Sequence, residues 1–285
     1  MKFGMTCSYS LKPDPDGRNL VQLGQLMEES GFETFWIGDH MMDPLSLEIE
    51  YPYEGGFPAV SWPDSFIACA FVASATKRLK IGTGVTVVPY RPPLLLAREI
   101  ATIDFLSGGR FKFGAGVGWM PEEFNALGVP FNERGARADD TLKILIELLQ
   151  DRIPDFDSKF FPMPAGKLNP LPVQKPYPSI IIGGEGAAAA KRIAAYGNGW
   201  QSRPELIEEY RKRLAIVKDA MDKAGRAMSE LELYVIIDAD YLKENLHEVG
   251  EYAELGVTEI VVHGRYDTFE RAVREVEGLG RKIIA

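Results

Sequence analysis

The segment LKIGTGVTVVPYRPPLLLAREIATIDFLSGGRFKFGAGVGW, Leu79 to Trp119, holds one complete strand–helix–strand unit. LKIGTGVTVVP is a short apolar run rich in β-branched residues, which reads as a strand. LLLAREIATIDFLSGG reads as a helix closed by Gly108 and Gly109. RFKFGAGVGW is a second strand. Two strands joined through a helix pair in parallel.

The same alternation runs outward in both directions. Upstream, KFGMTC is a strand, and Leu20, Leu23, Leu26 and Met27 mark the apolar face of a helix that stops at Gly31. ETFWIGDH is the next strand, and DSFIACAFVASAT is a helix with Asp64 as its N-cap. Downstream, the helix ADDTLKILIELLQ leads to the strand PSIIIGGEG and the helix AAAAKRIAAYG. NGWQS, ELELYVIIDAD and VTEIVVHG are further strands, each followed by a helical stretch, the middle one LKENLHEVGEYAELG. Eight such units predict an α/β fold, a (β/α)8 TIM barrel, as one domain over residues 1–285. Residues about 41–62 and 152–178, rich in Pro and aromatics, read as rim insertions. A doubly wound sheet would place a Gly-rich dinucleotide loop after the first strand, and CSYSLKPDPDG is no such loop.

A formal net charge of -9 repels phosphate backbones and anionic lipid, which argues against nucleic-acid and membrane partners; it says little about a small-molecule substrate, whose pocket can carry its own local field. No stretch approaches the roughly 20 apolar residues of a membrane span, and the apolar N-terminal stretch is too short for a signal peptide. The two cysteines, Cys7 and Cys69, have neither metal-ligand nor redox spacing, and they fit small buried residues in a reducing cytoplasm. No metal-binding motif and no Gly-x-Ser-x-Gly elbow occurs.

Active sites of such barrels lie at the C-terminal strand ends. That rule assembles Asp39 and His40, the run Gly84 to Val88, Gly116 to Trp119, Gly183 to Gly186, Trp200, and His263 around one mouth. His40 is either a proton-transfer group or a strand-end histidine bonded to a neighbouring loop. GGEG, Gly183 to Gly186, opens a helix and can cradle an anion on backbone N–H groups, provided the Glu185 carboxylate points away. Gly116 and Gly118 would let a flat ring lie against backbone, with Trp119 as a wall. Glu123 reads as a solvated helix-start acid, Glu122 stays open, and ERGARADD reads as a salt-bridged helix entry. Tyr51, Tyr53, Phe57, Trp62, Phe160 and Phe161 either line an apolar substrate site or pack the insertions.

FWIGDH, the Arg78–Gly128 block, ERGARADD, PVQKPYPSIIIGGEG and AAYGNGW together resemble the bacterial luciferase-like barrel oxidoreductases. That family comprises flavin-dependent monooxygenases and deazaflavin (coenzyme F420) dependent oxidoreductases. The resemblance implies a tricyclic ring at the mouth, with Asp39 and His40 beside it as the catalytic candidates and His40 handling a proton. It implies a non-prolyl cis peptide at Gly84–Val85 backing the ring, with Thr86 following. It also implies a phosphate held by the backbone of Gly183, Gly184 and Gly186, with Glu185 in the same cofactor-binding turn and Gly199 and Trp200 nearby. The DH and GGEG pattern is closer to the F420 branch, with FMN as the alternative. A non-catalytic ligand-binding barrel is a third reading. Glu122 sits one residue later than the acid of the sugar-phosphate dehydrogenase members, which argues against such a substrate. Homodimers, and a separate flavin or F420 reductase, are the partners the resemblance implies.

Overall fold

The computed structural model describes residues 1–9, 17–51, 63–155, 157–204, 206–266 and 268–284. Strands and helices alternate as β1 (Lys2–Tyr9), α1 (Arg18–Glu29), β2 (Thr34–Ile37), α2 (Ser65–Ala75), β3 (Lys80–Thr83), β4 (Thr86–Val87) and α3 (Pro93–Ser107). Then come β5 (Phe111–Gly116), α4 (Pro121–Ala126), α5 (Arg134–Leu149), β6 (Ile180–Gly183), α6 (Gly186–Tyr196), β7 (Gly199–Ser202) and α7 (Ile207–Lys223). The chain ends with β8 (Glu232–Asp238), α8 (Ala239–Glu244), α9 (Glu248–Glu254), β9 (Glu259–Tyr266) and α10 (Phe269–Leu279).

Every strand pairing is parallel, in the order β3-β2-β1-β9-β8-β7-β6-β5-β4. Pairing of Ile81 with Phe111 closes the sheet on itself. β4 continues the stave begun by β3 beyond the cis Gly84–Val85 peptide, so the barrel has eight staves. Closure excludes the doubly wound alternative. The sequence boundaries need three corrections. The third strand is interrupted, the stretch after β8 forms two short helices, and Glu122 and Glu123 belong to a separate helix, α4. Asp64 caps α2 as its position implies, its carboxylate accepting from the N–H groups of Phe66 and Ile67.

The bore is filled rather than open. Trp36, Ile181, Tyr234 and Val261 form a buried layer across it. Glycines make room for the indole: a Cβ on Gly82 would lie 2.6 Å from Trp36, and one on Gly4 2.8 Å from it. Beneath this layer, buried Glu259 accepts hydrogen bonds from Trp36 Nε1 (2.8 Å) and Thr34 Oγ1 (3.0 Å). Burial pushes the Glu259 carboxyl above the usual range, against the opposing charge of Lys112 and these donors. Among the described residues no helix is long and apolar enough to cross a membrane.

Candidate active site

The mouth lies above the Trp36 layer, where the parallel strands present their C-terminal ends. Asp39 and His40 leave β2 together but face different partners. Asp39 is buried, and its carboxylate takes both ends of the Arg91 guanidinium (2.6 and 2.9 Å). It also accepts from Ser65 Oγ (3.1 Å) and from the Val87 N–H (2.9 Å). Arg91 reaches Asp64 (3.3 Å) and Glu99 (3.6 Å) as well. Burial alone would lower the Arg91 pKa, but the bond to Asp39 and the surrounding carboxylates raise it. With its acceptors filled by protein donors, Asp39 acts as a clamp between β2 and β4. This revises the expectation of Asp39 as a catalytic group.

His40 is partly buried, and its Nδ1 lies 3.3 Å from Glu123 Oε1. Glu123 is 1% exposed. It also accepts from Tyr90 Oη (2.7 Å) and from the N–H groups of Met41 and Met42. Burial by itself would raise the Glu123 carboxyl. The His40 hydrogen bond and charge, followed by the Tyr90 and Met41 donors, outweigh it and hold the carboxyl below the ordinary range. Burial first, then the bond to Glu123, pushes the Tyr90 phenol up, so it remains a donor. α4 thus delivers a buried carboxylate to the mouth, where the sequence suggested a solvated acid. Glu122 instead accepts from the Glu48 N–H and fastens the 41–51 segment.

Trp119 stands beside His40, ring centroids 6.1 Å apart, and Tyr51 stacks edge-on against Trp119 at 5.4 Å. This places Tyr51 on the mouth, whereas Phe160 packs under the Arg137 guanidinium. Tyr53, Phe57 and Trp62 lie outside the described residues. ERGARADD is the expected salt-bridged helix entry: Arg137 pairs with Glu133, and Asp139 pairs with Arg192.

The glycines of the mouth serve two purposes. Gly116 and Gly183 admit the Val85 side chain, since a Cβ on either would lie 2.5 or 2.8 Å from it. Val85 therefore forms the floor, and its side chain fills the space that Gly116 and Gly183 leave on that side. Gly118 likewise makes room for Val87 and Phe124. Gly184 and Gly186 differ. Their φ values of 124° and 80° are in the left-handed region, and no side chain caps α6. A cavity of about 150 Å³ opens beside them, walled largely by apolar side chains such as Val88, Leu142 and Ile182, with Gly116, Gly183, Gly184, Glu185 and Arg192 completing it. It is too small for a tricyclic ring, which would need the open mouth above Val85. Glu185 turns to Arg213 (3.0 Å) and accepts from Ser202 Oγ and the Arg203 N–H.

Trp200 and Gly199, expected near the phosphate, pack behind the Gly184 turn. Trp200 is buried outside the bore, stacked on Tyr210 at 5.4 Å, and its indole N–H donates to the Gly184 carbonyl (3.0 Å). It supports the Gly184 turn from behind. Gly199 lies in the packed layer, where a Cβ would meet Ile181 and the Glu232 carbonyl. Thr86 is fully buried in β4. His263 is buried in β9, its Nδ1 2.8 Å from Thr6 Oγ1, a partner from β1 that its own flanking sequence could not reveal. His247 is exposed. Among the described residues no His/Cys/Asp/Glu cluster can hold a metal ion.

The sequence profile of luciferase-like monooxygenases matches residues 1–255. The chain belongs to the luciferase-like monooxygenase family. As a member it is an enzyme, an oxidoreductase or monooxygenase, and the family uses a flavin or coenzyme F420. An uncharacterized protein of Mycobacterium tuberculosis is 28% identical over 281 residues, covering 93% of this chain and 94% of the relative. Two solved structures share this (β/α)8 barrel fold. A monooxygenase from Streptomyces bottropensis superposes with a TM-score of 0.80 at 20% identity, covering 100% and 99% of the two chains. A coenzyme F420 dependent tetrahydromethanopterin reductase from Methanopyrus kandleri gives 0.75 at 18% identity, covering 99% and 98%.

Proposed function

We propose that this luciferase-like protein is a deazaflavin-dependent oxidoreductase, acting on a small organic substrate at the mouth. The observation that carries this reading is the chain His40–Glu123–Tyr90. It gives the mouth a histidine whose orientation is fixed by a buried carboxylate. When bound there, coenzyme F420 would supply two-electron hydride chemistry. Val85 would back the ring. The Gly184 and Gly186 turn and the uncapped start of α6 would hold its phosphate, with Arg192 close by.

The protein's own part is proton handling and orientation. Pairing through Nδ1 sets the tautomer and ring plane of His40, so that Nε2 is the atom that gives or takes the substrate's proton. Glu123 stabilises the imidazolium that forms. Asp39 and Arg91 hold the end of β2 against β4. Trp119 and Tyr51 wall the substrate space and favour an apolar or aromatic substrate.

The family's luciferase-like monooxygenase profile supports a second reading, an FMN-dependent monooxygenase supplied by a separate reductase. A homodimer belongs to the proposal in either case. The test is His40→Ala with the bound cofactor and a turned-over substrate. A fall in kcat of about 10²–10⁴-fold at unchanged cofactor affinity is expected for a lost proton-transfer group. Unchanged turnover would remove His40 from the chemistry.

A further inference from the structure

On β7 the side chains alternate, and between outward Trp200 and the Glu185-bonded Ser202 the strand turns Gln201 into the bore. Gln201 is 4% exposed, and its carboxamide lies against the Gly84 backbone: a Cβ on Gly84 would meet Oε1 at 3.4 Å and Nε2 at 3.5 Å. Gly84 and its neighbour Val85 are the partly exposed floor of the mouth. The Gly84 N–H is already committed to the Ile37 carbonyl. Gln201 Nε2 is shut off from solvent and has no hydrogen-bond partner.

A side-chain amide carries two N–H donors, and burying them unmatched costs free energy that an apolar residue of the same volume would not incur. Nothing in the barrel core gains from that cost. Its neighbouring layer of Trp36, Ile181, Tyr234 and Val261 offers the amide nitrogen no hydrogen-bond partner. The donor is instead held at the floor of the mouth, where a ring carrying carbonyl oxygens or ring nitrogens would complete it.

We propose that Gln201 is a cofactor-binding residue, its Nε2 donating to the carbonyl-bearing edge of a flavin or deazaflavin ring lying over Gly84 and Val85. The inference rests on the cofactor assignment above and adds to it a side-chain contact from β7. Such an edge is common to FMN and coenzyme F420, so the contact accounts for ring binding and does not choose between the two.

The test compares the wild-type protein with Gln201→Met and, as a second volume-conserving variant, Gln201→Leu. Each is titrated with FMN and with coenzyme F420, followed by fluorescence quenching and the bound absorption spectrum, and each is melted without ligand. The expected result is at least a tenfold rise in Kd for whichever ring the wild type binds. A shifted bound spectrum should accompany it, with an unliganded melting temperature equal to or above the wild type's. Unchanged Kd and spectrum in both variants would overturn the proposal while leaving the cofactor assignment intact. Lower melting temperatures at unchanged Kd would overturn it in favour of a structural amide. A wild type that binds neither ring would overturn the cofactor assignment, and the Gln201 contact with it.

Discussion

Glu123, on the short helix α4, accepts from the His40 imidazole at 3.3 Å, and the two side chains come from elements 83 residues apart. The remaining bonds of Glu123 go to Tyr90 and to the backbone that follows His40. One carboxylate therefore fixes both the imidazole and the loop that carries it. In Glu123→Gln the shape is kept and the charge lost. We expect kcat to fall about 10–100-fold with little change in KM, as for other groups that orient a reacting histidine. The acid limb of the pH–rate profile should move with it. Steady-state kinetics across pH would detect this, and an unmoved profile would count against orientation by Glu123.

The same carboxylate makes a pH-dependent contribution to stability. Its folded-state pKa is held below the unfolded value of about 4.3. The contribution is therefore complete above that value and is lost as pH falls through the lower, folded value. Urea unfolding of wild type and Glu123→Gln should differ most at neutral pH and converge below about pH 4. A gap that stays constant to the lowest pH reached would contradict the assignment.

Tyr90 donates to Glu123 from inside the Val87–Tyr90–Phe124 cluster. Removing that O–H in Tyr90→Phe leaves a buried charged acceptor short of a donor. The expected loss is about 1.5–3 kcal/mol, measured by denaturant unfolding. Wild-type stability in this variant would mean the phenol is dispensable.

The Asp39–Arg91 pair tests the clamp. Arg91→Met strands a buried carboxylate and should cost about 3–5 kcal/mol. The double variant Asp39→Asn with Arg91→Met should recover part of the loss, because no charge is then left unpaired. Equal losses in the single and double variants would sink the clamp as the cause.

How much of this was legible in the sequence depends on the range of the interaction. The eight strand–helix units follow from local periodicity, and closure follows from their number, which is why the architecture was readable. The position of His40 at the mouth is legible because strand ends of a barrel converge. Glu123 was missed because an acid in the first turn of a helix has the same local pattern whether it meets water or an imidazole. Gly116 and Gly183 signal a close approach in the sequence, and the structure shows Val85 making it. A glycine states that something approaches closely, not whether it is a cofactor ring or Val85. Trp200 and Gln201 expose the weakness of a four-residue strand. Shifting the register by one exchanges its inward and outward faces, and the aromatic residue drew attention from the amide that points inward.

The Val85 wedge offers a check on that glycine reading. Gly183→Ala should destabilise the fold by about 1–3 kcal/mol through overpacking. Val85→Ala should relieve it in a double-mutant cycle, giving a coupling energy of at least about 0.5 kcal/mol. Additive effects would mean that Gly183 is reserved for something other than Val85.

The central claim is that the mouth above Val85 binds a deazaflavin ring. The most direct measurement is a fluorescence titration of the ligand-free protein with coenzyme F420 and, separately, with FMN. Saturable binding of coenzyme F420, at least tenfold tighter than FMN, is the result predicted. Tight binding of FMN with none of coenzyme F420 would contradict it and transfer the protein to the flavin monooxygenases.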